Sequence, residues 1–193
     1  MQSPLQTTPL ALFRDSAAEL KRLPSVAIAA LLLGLNLILG SFRIDIMPGL
    51  HLGFGFLTQA LTGMLFGPVV AVITGVLGDE LGFFLRPDGP WFPIYAVTAI
   101  AGGLIYGLAF YHRPIKLPRV ILTKCVVTVI CNLFLNTLWD SMLFGSSFAV
   151  LLPARFIKNI AMLPIEIALL FAVCKAVPAI YQQATGKRLA GSA

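Results

Sequence analysis

The sequence predicts an all-α integral membrane protein: a compact six-transmembrane-helix bundle with a short N-terminal interfacial helix and both termini cytoplasmic. Three observations carry that prediction. Of 193 residues, 58% are hydrophobic and only 11% charged, with a mean hydropathy of +0.90, far too apolar to cover a soluble surface. The apolar residues fall in six runs, at 24–41, 51–66, 69–85, 92–111, 119–143 and 155–180. The basic residues gather at the ends of those runs, where loop charge reports topology.

Residues 1–23 differ in kind from the rest. Leu10, Phe13, Ala17, Leu20 and Leu23 recur at helical spacing beside Arg14, Lys21 and Arg22, which predicts an amphipathic helix lying in the membrane interface. The membrane domain is expected over 24–180 and a cytoplasmic tail over 181–193. No cleavable leader is expected, because the first strongly apolar run begins near Ser25 and several more follow it.

A spanning helix needs about 20 residues, and the first, fourth, fifth and sixth runs meet that easily. Only Gly67-Pro68 separates the second and third, so they are expected to form a tight helical hairpin, with Pro68 in a first turn where its missing amide proton costs nothing. Small residues four apart, among them Ala30 and Gly34, Gly63 and Gly67, and Gly103 and Gly107, allow close approach of helix backbones within lipid.

With the N-terminus inside, ten of the 14 basic residues fall on the cytoplasmic side: Arg14, Lys21, Arg22, Arg113, Lys116, Arg119, Lys124, Lys175, Lys187 and Arg188. The remaining four, Arg43, Arg86, Arg155 and Lys158, break the bias, and something else must hold them there. The net charge of +6 therefore reports topology and gives no reason to invoke nucleic acid.

Three outer connections gather polar and aromatic groups. Ser41–Gly55 carries Arg43, Asp45 and His51. Leu85–Pro93 is stiffened by prolines and ends in Trp91 and Phe92. The third follows Gly145, between Asn136-Thr-Leu-Trp139 and Leu151-Leu-Pro-Ala-Arg155 with Lys158 and Asn159. An apolar body with a few placed hydrogen-bonding groups is what a small-molecule cavity needs, although Trp91, Phe92 and Trp139 would serve equally as interfacial belt aromatics. Asp79 and Glu80 sit near the outer end of the third helix, where a salt bridge to Arg86 is the competing structural role. Glu166 is expected to find a polar partner in Asn36 or Asn132. Asp140 is expected at the outer rim.

Reactive constellations are missing from the sequence. Cys125, Cys131 and Cys174 lie inside apolar runs without metal-ligand spacing, and His51 and His112 fall on opposite sides. Gly186-Lys187-Arg188 lacks the earlier glycine and the hydroxyl residue of a phosphate-binding loop. The chain is therefore expected to be no enzyme, to need no metal or cofactor, and to draw any transport energy from an ion gradient or another subunit.

Taken together, the short helices, the Ala30-Leu-Leu-Leu-Gly34 step and the long apolar outer loop resemble the substrate-binding S components of energy-coupling-factor (ECF) vitamin transporters, over about residues 24–180. Asn136-Thr-Leu-Trp139, Phe144-Gly145, Leu151-Leu-Pro-Ala-Arg155 and Lys158-Asn159 look like the folate-specific members. The resemblance implies a protein of the bacterial cytoplasmic membrane that captures folate from outside and presents it to a transmembrane T component driven by two cytoplasmic ATPase subunits. It further implies docking through Ala30 and Gly34, and a whole-body tipping of the S component in the membrane. Folate's flat pterin suits Trp91, Phe92, Trp139, Asn136 and Asp79, and its anionic glutamate tail suits Arg43, Arg86, Arg155 and Lys158. The alternatives are an S component for riboflavin, pyridoxine or a queuosine precursor, and a stand-alone secondary carrier using Asp79, Asp140 and Glu166.

Overall fold

The computed structural model describes residues 9–42, 44–47, 50–87 and 91–185. Arg43, Lys187 and Arg188 lie outside the described residues. The elements run α1 (Pro9–Glu19), α2 (Leu23–Ser41), β1 (Ile44–Met47), β2 (Leu50–Leu52), α3 (Gly55–Leu85), α4 (Tyr95–Phe110), α5 (Leu117–Val127), a π-helical segment (Thr128–Leu135), α6 (Asn136–Phe144) and α7 (Phe148–Thr185). By length and composition, Leu23–Ser41, Gly55–Leu85, Leu117–Phe144 and Phe148–Val177 are long and apolar enough to cross a membrane, and Tyr95–Phe110 is a shorter apolar helix. The result is a helical membrane bundle with one addition: β1 and β2 form an antiparallel ribbon pairing Ile44 with Leu52 and Asp45 with His51.

α3 is two helical arms joined at Gly67, whose φ of 84° is non-helical and lies where L side chains are strained. The arms fold back on each other. Asn36 of α2 donates to the Gly55 carbonyl and to Thr58 on the first arm, and its side chain also packs at Gly78 on the second. α4 closes against both arms through glycine. A Cβ on Gly107 would fall 2.4 Å from Pro68 Cα, and one on Gly103 would fall 2.9 Å from the Ala71 carbonyl. The core around this joint includes Ala60, Phe66, Ala71, Tyr106 and Phe110, with Val120, Leu170 and Cys174 from α5 and α7.

α1 docks on the turn of α3 by a face the hydrophobic pattern did not select. Leu10, Leu20 and Leu23 are exposed, while Leu12 and Ser16 are buried. The reason is polar: Pro68 opens a helical arm whose first amides lack intrahelical acceptors, and Ser16 supplies one from outside. α2 packs chiefly on α3 through a face containing Ala29, leaving Val26, Ala27, Ala30, Leu31, Leu35 and Ile38 exposed.

Boundaries differ from those expected, and two of the differences bear on the site. α7 begins at Phe148, so Leu151–Ala154 is helical and the connector shrinks to Gly145–Ser147; Gly145 ends α6 in a left-handed conformation, and Pro153, the sixth residue of α7, has no amide proton to give the Ala149 carbonyl one turn back. The ribbon takes the first part of the expected second run, so α3 begins at Gly55.

Candidate functional site

A cavity of about 440 Å³ lies among α2, both arms of α3, α4, the α5–α6 helix and α7, a size within the range of small-molecule sites. At its rim, Trp91 Nε1 donates to Glu80 at 2.9 Å, and an Arg86 amino group donates to the Ser41 carbonyl at 3.0 Å. Asp79, Phe83 and Phe92 line the same region, with Phe92 edge-on to Tyr95.

Next to Tyr95, three helices converge on Asp140. It is buried, ion-paired with Arg155 of α7 and hydrogen-bonded by the Tyr95 hydroxyl of α4. A carboxylate expected at the outer rim is therefore buried in the structure. Burial of either charge alone would be prohibitive, and pairing is what permits both. Asn132 donates to Asn159 at 3.3 Å, and Asn159 donates to the Arg155 carbonyl at 2.8 Å, extending the polar wall along α7 past Lys158.

The floor carries a second buried pair. Lys124 Nζ lies 3.2 Å from Glu166 Oε2, with side-chain exposures of 1% and 12%, and 3.7 Å from the centre of the Phe56 ring. This corrects two expectations. Lys124 belongs to the cavity and not to the cytoplasmic charge set, because its stem reaches inward from α5. Glu166 finds this lysine instead of Asn36 or Asn132, which bond elsewhere.

The π-helical segment explains how one helix serves both levels. A π turn rotates each residue roughly 20° less than an α turn. Over Thr128–Leu135 this brings Asn136 and Asp140 back onto the face of Lys124 and Cys131, and all four line the cavity.

Of the residues singled out by sequence, Asp79, Trp91, Phe92, Asn136, Arg155 and Lys158 line this one cavity. Trp139 is buried beside it, with Nε1 donating to Thr98 Oγ1 at 3.0 Å, and is not among the lining residues. Gln59, Tyr95, Lys124 and Glu166 also line it. Their signal was present in the sequence as polar groups inside apolar runs, which lipid would reject.

Residues 24–177 match the family described as ECF transporter, substrate-specific component. The chain belongs to that family. This S component is 34% identical over 158 residues to the folate transporter FolT of Clostridium novyi, covering 82% of this chain and 92% of the relative. It is 28% identical over 146 residues to the folate transporter FolT of Leuconostoc mesenteroides, covering 72% and 78%. Its fold is similar to a crystal structure of FolT bound with folic acid, with a TM-score of 0.73 and 30% sequence identity over 78% of this chain and 93% of that one.

Proposed function

We propose that this S component binds folate and delivers it inward as part of an ECF-type transporter. The observation that carries the ligand is the folic-acid-bound neighbour, similar over most of both chains, combined with a cavity whose lining fits folate's parts. Trp91 and Phe92 offer aromatic faces, Asp79 and Asn136 offer hydrogen-bonding groups, and Arg86, Arg155 and Lys158 supply cations for carboxylates. Arg43, on the connection between α2 and β1, joins that set, and Trp139 supports the wall through Thr98.

In this reading, α2, the arms of α3, α4, the α5–α6 helix and α7 are six membrane segments, with both termini on the cytoplasmic side of a bacterial cell membrane. Residues 1–23 lie at the interface and 181–193 form a cytoplasmic tail. A transmembrane T component docks on the exposed face of α2 at Ala30 and Gly34, and two cytoplasmic ATPase subunits drive release. The family membership supports these partners, as does the small-residue face of α2, which this chain leaves open.

The test is titration of folate into the purified chain in detergent, following tryptophan fluorescence, with riboflavin and pyridoxine alongside. Trp91 at the rim and Trp139 behind the wall are the two reporters. Saturable quenching by folate alone is the expected result. Binding of riboflavin or pyridoxine instead would keep the architecture and replace the ligand.

A further inference from the structure

One end of the bundle carries a charged face that the cavity does not use. Leu23 opens α2 there, the Gly67-Pro68 joint turns α3, Tyr111 follows α4 and Leu117 opens α5. α1 lies across that end. A Cβ on Gly67 would meet Ser16 Cβ at 2.7 Å and Tyr111 Cδ1 at 3.0 Å, so α1 and the end of α4 meet over the joint. The charges of Glu19, Asp15 and Arg22 also bear on Tyr111, which sets the α4–α5 connection beside α1.

On α1 the charges are sorted by sign. Successive helical residues turn by roughly 100°, so Arg14 stands about 40° from Leu10, while Asp15 and Glu19 stand about 140° and 180° away. Leu10 and Arg14 are exposed; Asp15 and Glu19 are half-buried. Glu19 is engaged from α2, where Ser25 Oγ donates to it at 2.5 Å, and from the turn, where Arg22 donates at 3.1 Å. Lys21 is exposed on that turn, and Lys116 is exposed directly before α5.

Covalent connection fixes the depth of these bases. Leu23–Ser41 and Leu117–Phe144 are long and apolar enough to cross a membrane. Lys21 and Lys116, just ahead of those spans, therefore sit where hydrocarbon gives way to headgroups. Beside them Leu10 and Leu23 are 83% and 81% exposed. Leucines and bases turned outward, with the acids turned inward, complement an apolar layer lying under a layer of negative charge. The middle of the face is Ala17 and Ala18, which offer nothing to key into a protein groove.

We infer that this face binds the headgroups of anionic phospholipids: Arg14, Lys21 and Lys116 pair with lipid phosphates, and Leu10 and Leu23 enter the acyl layer. The inference rests on the reading that places residues 1–23 at the cytoplasmic interface, and adds a lipid selectivity to it. Ser16 ties α1 to α3, and Glu19 ties it to α2. Lipid held here is thus held against the body of the bundle.

The full purified chain in a neutral maltoside detergent is titrated with phosphatidylglycerol, or with phosphatidylcholine of the same acyl chains. Bound lipid is counted by native mass spectrometry, and thermal unfolding is recorded alongside. The wild type is expected to retain phosphatidylglycerol at least tenfold more readily and to gain melting temperature with it. Each Lys or Arg near an anionic surface strengthens binding about fivefold, so Arg14→Gln with Lys21→Gln and Lys116→Gln should abolish the preference. The matched control, Lys175→Gln with Lys187→Gln and Arg188→Gln, removes as many charges from the other end of the sequence and should keep it. Should the first triple variant fail to fold, Arg14→Gln alone decides, with a preference about fivefold below wild type. Equal retention of the two lipids by the wild type, or equal losses in both triple variants, overturns the lipid face. Displacement of the lipid by excess soluble glycerol phosphate overturns it too, since the site would then be one for a free anion.

Arg14→Cys separates the lipid face from the topology it rests on. An impermeant maleimide is expected to label that thiol, above the background of the three native cysteines, in inside-out vesicles and not in intact cells. The reverse pattern overturns the cytoplasmic placement itself. The expected labelling without a preference for phosphatidylglycerol overturns the lipid face alone.

Discussion

Ser16 holds the Phe66 carbonyl from a different helix. Its hydroxyl donates to that oxygen at 2.6 Å and accepts from the amides of Val69 at 3.0 Å and Val70 at 3.3 Å. One side chain thus closes the first arm of α3 and caps the second across the Gly67-Pro68 joint. Gly67 lies directly beneath it, since a Cβ there would meet the Ser16 Cβ at 2.7 Å. The N-terminal helix is therefore built into the hairpin and does more than lie on the membrane surface.

Ser16→Ala is accordingly expected to destabilise the protein by roughly 1–3 kcal/mol, because it leaves a buried carbonyl and amides without a partner. Gly67→Ala should cost more, since it adds a left-handed backbone conformation for a non-glycine residue to the contact with Ser16. Thermal unfolding in detergent checks both. An unchanged melting temperature for Ser16→Ala would show that water replaces the cap and that α1 is only loosely seated.

The Asp140–Arg155 pair invites a different experiment, because stability and binding should part. Asp140→Ala removes the carboxylate paired with the Arg155 charge inside the bundle and is expected to cost roughly 3–5 kcal/mol. The double change Asp140→Leu with Arg155→Met removes both charges and should recover most of that loss. Folate affinity should fall at least tenfold in the double variant, since the cavity has lost a cation. Recovery of affinity together with stability would remove Arg155 from the binding set.

How far these features were legible follows from their physical origin. Apolar runs located the helices, because a segment in lipid must satisfy its own backbone and bury no stray charge. The Gly67-Pro68 dipeptide announced its turn for a local reason: one residue needs a positive φ and the next lacks an amide proton. Ser16 was not legible, because its partner lies 50 residues away and hydrophobic spacing pointed to another face. Lys124 was misplaced for a related reason. Its position near the start of an apolar run looks like a loop cation, and only the fold sets Glu166 against it. The re-phasing by the π-helical segment leaves no mark on a 3.6-residue pattern, so the alignment of Asn136 and Asp140 with Lys124 was beyond sequence reading.

Gly107→Ala tests the tightest helix contact. Its Cβ would lie 2.4 Å from Pro68 Cα and 2.6 Å from Pro68 N, both backbone atoms that no rotamer change can move. α4 would have to separate from the hairpin, and the core around Tyr106 and Phe110 would open with it. The expected result is a protein that fails to accumulate in the membrane or unfolds well below wild type. Gly34→Ala is the matched control, since a Cβ there meets nothing within 4 Å. Equal behaviour of the two variants would show that α4 relaxes without penalty.

The same open space makes α2 the place to separate transport from binding. Ala30 is exposed, and Gly34 has room for a side chain within this chain, so Ala30→Trp and Gly34→Leu should leave the fold and its cavity intact. Small residues let helix backbones approach closely in lipid, and bulk at these two positions would hold a partner helix away. Uptake of labelled folate by cells carrying the full transporter is expected to fall to background, while folate affinity of the purified variants stays within twofold of wild type. Uptake that survives both changes would move the docking surface off α2. Loss of affinity along with uptake would mean that α2 shapes the cavity through Asn36, whose side chain bonds to both Gly55 and Thr58.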